Sequence, residues 1–138
     1  MNNFEIFGIT FAMLSVVFGA FGAHMLKKRL PESALQSFEV GVRYLMYHGL
    51  ALLLLSQMPL EEKEIISWIF IAGTLIFSFS IFLLSLQPIL KVNLKWLGPI
   101  TPIGGTLLVF GWILLLFKFI WAITLFFYVT FATHFKKC

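Results

Sequence analysis

Four long apolar stretches, separated by short segments that gather the prolines and most of the charge, leave this chain few folds to choose from. The first, residues 4–25, is about 22 residues long; as a helix rising about 1.5 Å per residue it just crosses a hydrocarbon core. Lys27, Lys28, Arg29 and Pro31 end it. The second stretch starts amphipathic, with Gln36, Glu39 and Arg43, and becomes fully apolar only from Leu45. It therefore begins in the interface and enters the bilayer near Val40, with Ser33 a suitable N-cap. Pro59 and the run Glu61, Glu62, Lys63, Glu64 close it, and Gln87-Pro88 with Lys91 and Lys95 forms the loop after the third stretch. The fourth opens in Gly98-Pro99-Ile100-Thr101-Pro102, whose prolines suit a first turn and not a helix interior. Expected spans are thus about 4–26, 40–58, 65–87 and 100–117, with Trp68 and Trp96 at interface depth.

Composition agrees with lipid as the solvent. The chain is 60% hydrophobic and 12% charged, against about a quarter charged in an ordinary soluble domain. Too little polar surface remains to coat a water-facing sphere. The net charge of +4 comes from basic residues flanking the spans, which fits anionic lipid and not nucleic acid. Ala20-Phe21-Gly22 imitates a signal-peptide cleavage site, but the start carries no basic residue, so the first span is expected to be permanent. Cys138 is the only cysteine and excludes an internal disulfide. The expected fold is all-α: a polytopic membrane four-helix bundle over residues 1–118, with an apolar C-terminal helical extension over 119–138.

Lysine and arginine concentrate in loops one and three, as Lys27, Lys28, Arg29, Lys91 and Lys95, whereas loop two carries Lys63 among three glutamates. Loops one and three are expected on the cytoplasmic side of the plasma (inner) membrane and the N-terminus outside. The extension is harder to place. Lys118 separates it from the fourth span with no glycine, proline or loop, which favours a continuing helix over an interfacial segment or a fifth span, although a fifth span would bring Lys136 and Lys137 inside. No repeat relates the two helix pairs, so the inverted-repeat signature of many transporters is missing.

Within the spans, Gly8, Ala12, Ser15, Gly19 and Gly22 recur at spacings of three and four and share a narrow helix face, where two backbones can approach closely. Gly73, Ser80 and Gln87 repeat the device in the third span, beside a parallel row of Ser78 and Ser85; Gly104 and Gly111 do so in the fourth. These are packing seams.

Ionisable groups at membrane depth are the better functional lead, because they are costly there. Glu39 and Arg43 stand four apart in the order that favours a helical ion pair. With Gln36 and Tyr47 they form a stripe expected to run from the cytoplasmic interface into the bundle. His48 lies about 140° round the helix from Arg43, on the face of Gly41, Tyr44 and Leu52. One reading of His24, Arg43 and His48 is a site for a proton, an anion or a lipid headgroup. The other is structural: His24 ends a span, His48 is a hydrogen-bonded core histidine and Arg43 snorkels. No carboxylate or thiol is spaced to complete a metal shell with the histidines, and no catalytic motif or phosphate loop is present, so neither cofactor nor enzymatic activity is expected.

Several ordered strings carry a family resemblance: Gly19-Ala20-Phe21-Gly22-Ala23-His24; Phe38-Glu39-Val40-Gly41-Val42-Arg43-Tyr44; Met46-Tyr47-His48-Gly49-Leu50; and Leu97-Gly98-Pro99-Ile100-Thr101-Pro102-Ile103-Gly104-Gly105 through Gly111-Trp112. The chain resembles the small membrane proteins of the domain-of-unknown-function-423 family. The resemblance implies a multi-pass inner-membrane protein with no known activity, and it marks His24, Arg43, Tyr47, His48, Thr101 and the Gly104-Gly105 pair as motif positions without roles. Relatives usually carry glutamine where this chain has Leu45, and they usually stop soon after the fourth span. The functional expectation is a protein that binds or conducts a small anion, proton or lipid headgroup through His24, Glu39, Arg43, Tyr47, His48 and Thr101. The alternative is a structural or assembly subunit; membrane lipids, a second copy or a membrane complex are the expected partners.

Overall fold

A computed structural model describes the backbone of residues 3–135 and side chains up to residue 128. Expectations that concern Met1, Lys136, Lys137 and Cys138 lie outside the described residues. The described residues form four α-helices: α1 (Asn3–His24), α2 (Glu32–Gln57), α3 (Lys63–Leu90) and α4 (Ile100–Phe135). Single 3-10 turns, Leu26–Lys28 and Lys95–Leu97, occupy the first and third loops. All four helices are long and apolar enough to cross a membrane, and no strand occurs among the described residues.

The boundaries depart from expectation at two places, the start of α2 and the end of α3. Pro31, not Ser33, precedes the first turn of α2, so the helix begins two residues earlier than a Ser33 cap would place it. Its fixed φ suits a residue entering a helix. α3 runs through Pro88 to Leu90. A proline so near the C-terminus costs one hydrogen bond without breaking a helix whose remaining turns are buried, and the Lys91 amide still closes the end on the Gln87 carbonyl at 2.9 Å. α4 passes Lys118 without interruption and extends 36 residues. Nothing between 118 and 135 supplies a turn.

Consecutive helices pack in chain order, α1 on α2, α2 on α3 and α3 on α4. Small residues set each approach. In the α1–α2 pair, a Cβ on Gly8 would stand 2.9 Å from the Gly49 carbonyl oxygen. The Ser15 hydroxyl donates to the Val42 carbonyl at 2.9 Å. Gly19 and Gly22 leave room for Val42 and the Phe38 ring. In the α3–α4 pair, Gly73 receives Leu108, Gly104 meets the backbone of Phe77, and Gly111 faces the Phe70 ring. Ser80 joins Thr101 at 2.8 Å. Aromatic pairs such as Phe18–Phe82 and Phe7–Trp68 tie α1 to α3 and complete a core of buried Phe11, Phe38, Leu45, Leu52 and Phe70.

At the loop-two end the Lys63 ammonium donates to the Ser56 and Met58 carbonyls at 2.7 and 2.9 Å, satisfying the open end of α2. Glu62, just before α3, accepts a hydrogen bond and ion pair from Lys118 of α4. That bond, reinforced by the lysine charge, lowers the Glu62 carboxyl below its ordinary value. A depressed carboxyl contributes its stabilisation above its unfolded pKa, about 4.3, and loses it as pH falls through the lower folded value. The α4 segment beside loop two is therefore expected to loosen as pH falls below the ordinary carboxylate range. Hydrogen exchange of residues 58–62 should show that step in the native chain and not in Lys118→Met.

Candidate functional site

The stripe expected to enter the bundle lies on the outside of α2. Glu39, Arg43 and Gln36 are exposed, and Tyr47 is 55% exposed. The expected Glu39–Arg43 ion pair is not formed either: the Arg43 Nε donates to the Glu39 backbone carbonyl at 3.3 Å. The reason is positional. Gly41 and Gly49 mark the face that α2 turns to its neighbours, because only there can Phe82 and α1 come close. Charge is left facing outward, where an arginine can reach head groups. His24 is also exposed, at the end of α1.

His48 behaves differently. It is 3% exposed and sits between α3 and α4. Its Nδ1 lies 2.9 Å from the Tyr44 carbonyl, and its Nε2 accepts from the Trp112 indole N–H at 3.2 Å. An acceptor at Nε2 places the proton on Nδ1, so the network assigns the neutral tautomer with both ring nitrogens satisfied.

This bridge lies in the lining of a groove. α2 and α4 stand on either side of α3, and between them runs a crevice of about 510 Å³ walled by Tyr44 and His48 of α2, Phe77 of α3, and Gly105, Thr106 and Trp112 of α4. Toward loops one and three it meets a second cleft of about 520 Å³, in which Ser33, Ser37, Ser85 and Thr101 supply hydroxyls. The two share Pro102. Polarity thus falls along the groove, from a hydroxyl-lined mouth near the basic loops to an aromatic interior.

Of the expected site residues, the structure brings His48 and Thr101 to this groove and leaves His24, Glu39, Arg43 and Tyr47 outside its lining. Ser33, Ser37, Tyr44, Ser85, Gly105 and Trp112 join it without having been chosen as site residues. One signal was available: Ser33, Ser37, Tyr44 and His48 fall within about 60° on the α2 face. Among the described residues no three His, Cys, Asp or Glu side chains gather as a metal would need.

Residues 18–105 match the family described as "Protein of unknown function (DUF423)". A UPF0382 membrane protein of Staphylococcus aureus is 42% identical over 123 residues, covering 86% of this chain and 98% of the relative. A UPF0382 membrane protein of Staphylococcus haemolyticus is 37% identical, covering 87% and 99%. The UPF0382 membrane protein YwdK of Bacillus subtilis is 38% identical, covering 83% and 94%. No solved structure matches. With four membrane-length helices and these relatives named as membrane proteins, the chain belongs to the DUF423 family of membrane proteins of unknown function.

Proposed function

We propose that the chain is a lipid-binding protein of the plasma membrane and not an enzyme, and that it takes a membrane amphiphile sideways into the groove between α2 and α4. The observation that carries this reading is the polarity gradient along the groove, from hydroxyls at Ser33, Ser37 and Ser85 to the aromatic wall of Tyr44, Phe77 and Trp112. A head group and an acyl chain need those two environments in that order. The basic residues of loops one and three support a mouth on the cytoplasmic side, by the bias of lysine and arginine toward that face.

A lipid carrying a photoactivatable group in its chain is the direct probe. It is expected to label α4 of the native protein and of Phe110→Trp, whose new ring replaces an exposed one away from the groove. Thr106→Trp fills the crevice and is expected to abolish the label. Equal labelling of all three proteins removes the groove as the binding place.

The continuation of α4 supports a second reading, a structural or assembly subunit that docks on another copy or a membrane complex. Trp121, Phe126, Phe127 and Tyr128 are exposed along it, and an apolar crevice of about 450 Å³ opens between it and Met58, Pro59 and Leu60. Large exposed apolar surface of this kind marks contact with a partner or with lipid.

A further inference from the structure

We infer that the groove's mouth is a phosphate site, in which the first turn of α2 and the Ser85 hydroxyl hold a phosphoester anion, whether on a phospholipid or free. The inference rests on the groove reading and names the head-group chemistry which that reading leaves open.

The first turn of α2 is uncapped. Pro31 has no side chain that can accept a hydrogen bond, and its carbonyl takes the Ala34 and Leu35 amides at 3.0 Å. The amides of Glu32 and Ser33 have no carbonyl a turn behind them, and the partial positive charge of the helix end is left for a ligand. Ser33 itself lines the mouth, and Gly98 and Thr101 bring the start of α4 to the same cleft.

A helix end alone would not make a site. The independent observation is Ser85 of α3. It is 4% exposed, its hydroxyl has no hydrogen-bond partner among the described residues, and it lines the same cleft as Ser33. A buried hydroxyl without a partner is costly and calls for an acceptor.

The neighbouring hydroxyls sharpen the chemistry. Ser80 donates to the Phe77 carbonyl, so the hydrogen between Ser80 and Thr101 comes from Thr101; Ser37 donates to the Ser33 carbonyl. Both are spent as donors. What the mouth offers is therefore the donor set of Ser85, Ser33 and the α2 amides, arriving from two helices, and a ligand to match it must be acceptor-only and present oxygens in several directions. A phosphate group does so; a planar carboxylate presents only two. Lys27, Lys28 and Arg29 lead into α2 and Lys95 precedes Gly98, which adds long-range attraction for an anion. The one acidic side chain in that turn, Glu32, accepts from Gln36 at 3.5 Å on the exposed side.

The test is native mass spectrometry of the delipidated full chain with three probes: dioleoyl phosphatidic acid, dioleoylglycerol and inorganic phosphate. Phosphatidic acid is expected to be retained at least roughly tenfold better than dioleoylglycerol, and Ser85→Ala and Ser33→Asp to lose that preference. Ser33→Asp keeps the fold, because an acid suits a first helical turn while repelling a bound anion. If inorganic phosphate displaces phosphatidic acid, the free anion is a sufficient ligand; if phosphatidic acid binds and phosphate does not displace it, the source is the lipid. Equal retention of dioleoylglycerol and phosphatidic acid, or no change in either variant, overturns the phosphate site and leaves the groove standing. Retention of no lipid at all takes the groove reading down as well.

Discussion

Gly104→Ala is expected to destabilise the bundle by about 3 kcal/mol, near the upper end for overpacking a tight contact. The added Cβ would stand 2.5 Å from the Phe77 backbone nitrogen and 2.9 Å from its Cα. Both atoms belong to the main chain of a helix, so no rotamer change can relieve the clash, and α4 has to move away from α3. Next door, a Cβ on Gly105 would meet only Phe77 ring carbons, at 3.4 and 3.5 Å. Gly105→Ala should stay within about 0.5 kcal/mol of the native chain. Reversible unfolding in mixed micelles compares the two, and equal losses would mean that the helices do not cross where the structure places them. The crossing also bears on function, since Pro102 and Gly105 border the groove on the same two turns of α4.

Such crossings were legible because small residues in a membrane helix have a single strong physical use. The spacing of Gly8, Ser15, Gly19 and Gly22 designates a face, and that face meets α2 at Gly49, Val42 and Phe38. The partner glycine was harder to find. Gly49 stands alone in its turn, beside Gly41 two turns earlier, and no seam of three or four small residues announces it. The four spans were plain for a simpler reason: uninterrupted apolar runs have no alternative solvent.

The direction of the polar stripe was not legible, and the cause is general to lipid-facing helices. In water, charge marks the outer face of a helix. Near an interface, head groups and a bundle interior can both accept Arg43, so its presence gives a face without an orientation. On α2 the inner face is marked by Gly41, Leu45, Gly49 and Leu52, all buried, and by His48 among them. The groove was hidden from sequence for a further reason. Its mouth is rich in serines, which in isolation serve as caps, back-bonded hydroxyls or seam residues, and only the juxtaposition of α2, α3 and α4 brings Ser33 and Ser85 to one cleft.

Trp112→Phe is expected to cost about 1–3 kcal/mol, chiefly by stranding a buried acceptor. The phenyl ring keeps most of the packing against Phe70, whose ring lies 5.0 Å from the indole. It cannot donate to the His48 Nε2, which then sits at membrane depth with neither water nor protein to satisfy it. The signature of this cause is non-additivity. His48→Phe removes the orphaned nitrogen, so the double variant should be less destabilised than the sum of the single changes, by about 1 kcal/mol or more. Unfolding of all four proteins in the same micelles measures the coupling. A coupling near zero would mean that the His48–Trp112 bond does not form. A clear coupling makes His48 a structural histidine, held neutral between Tyr44 and Trp112, and it separates the groove's rigid wall from its mouth. On that outcome His48→Phe should leave lipid selectivity intact while weakening the fold, whereas changes at Ser33 and Ser85 should do the reverse.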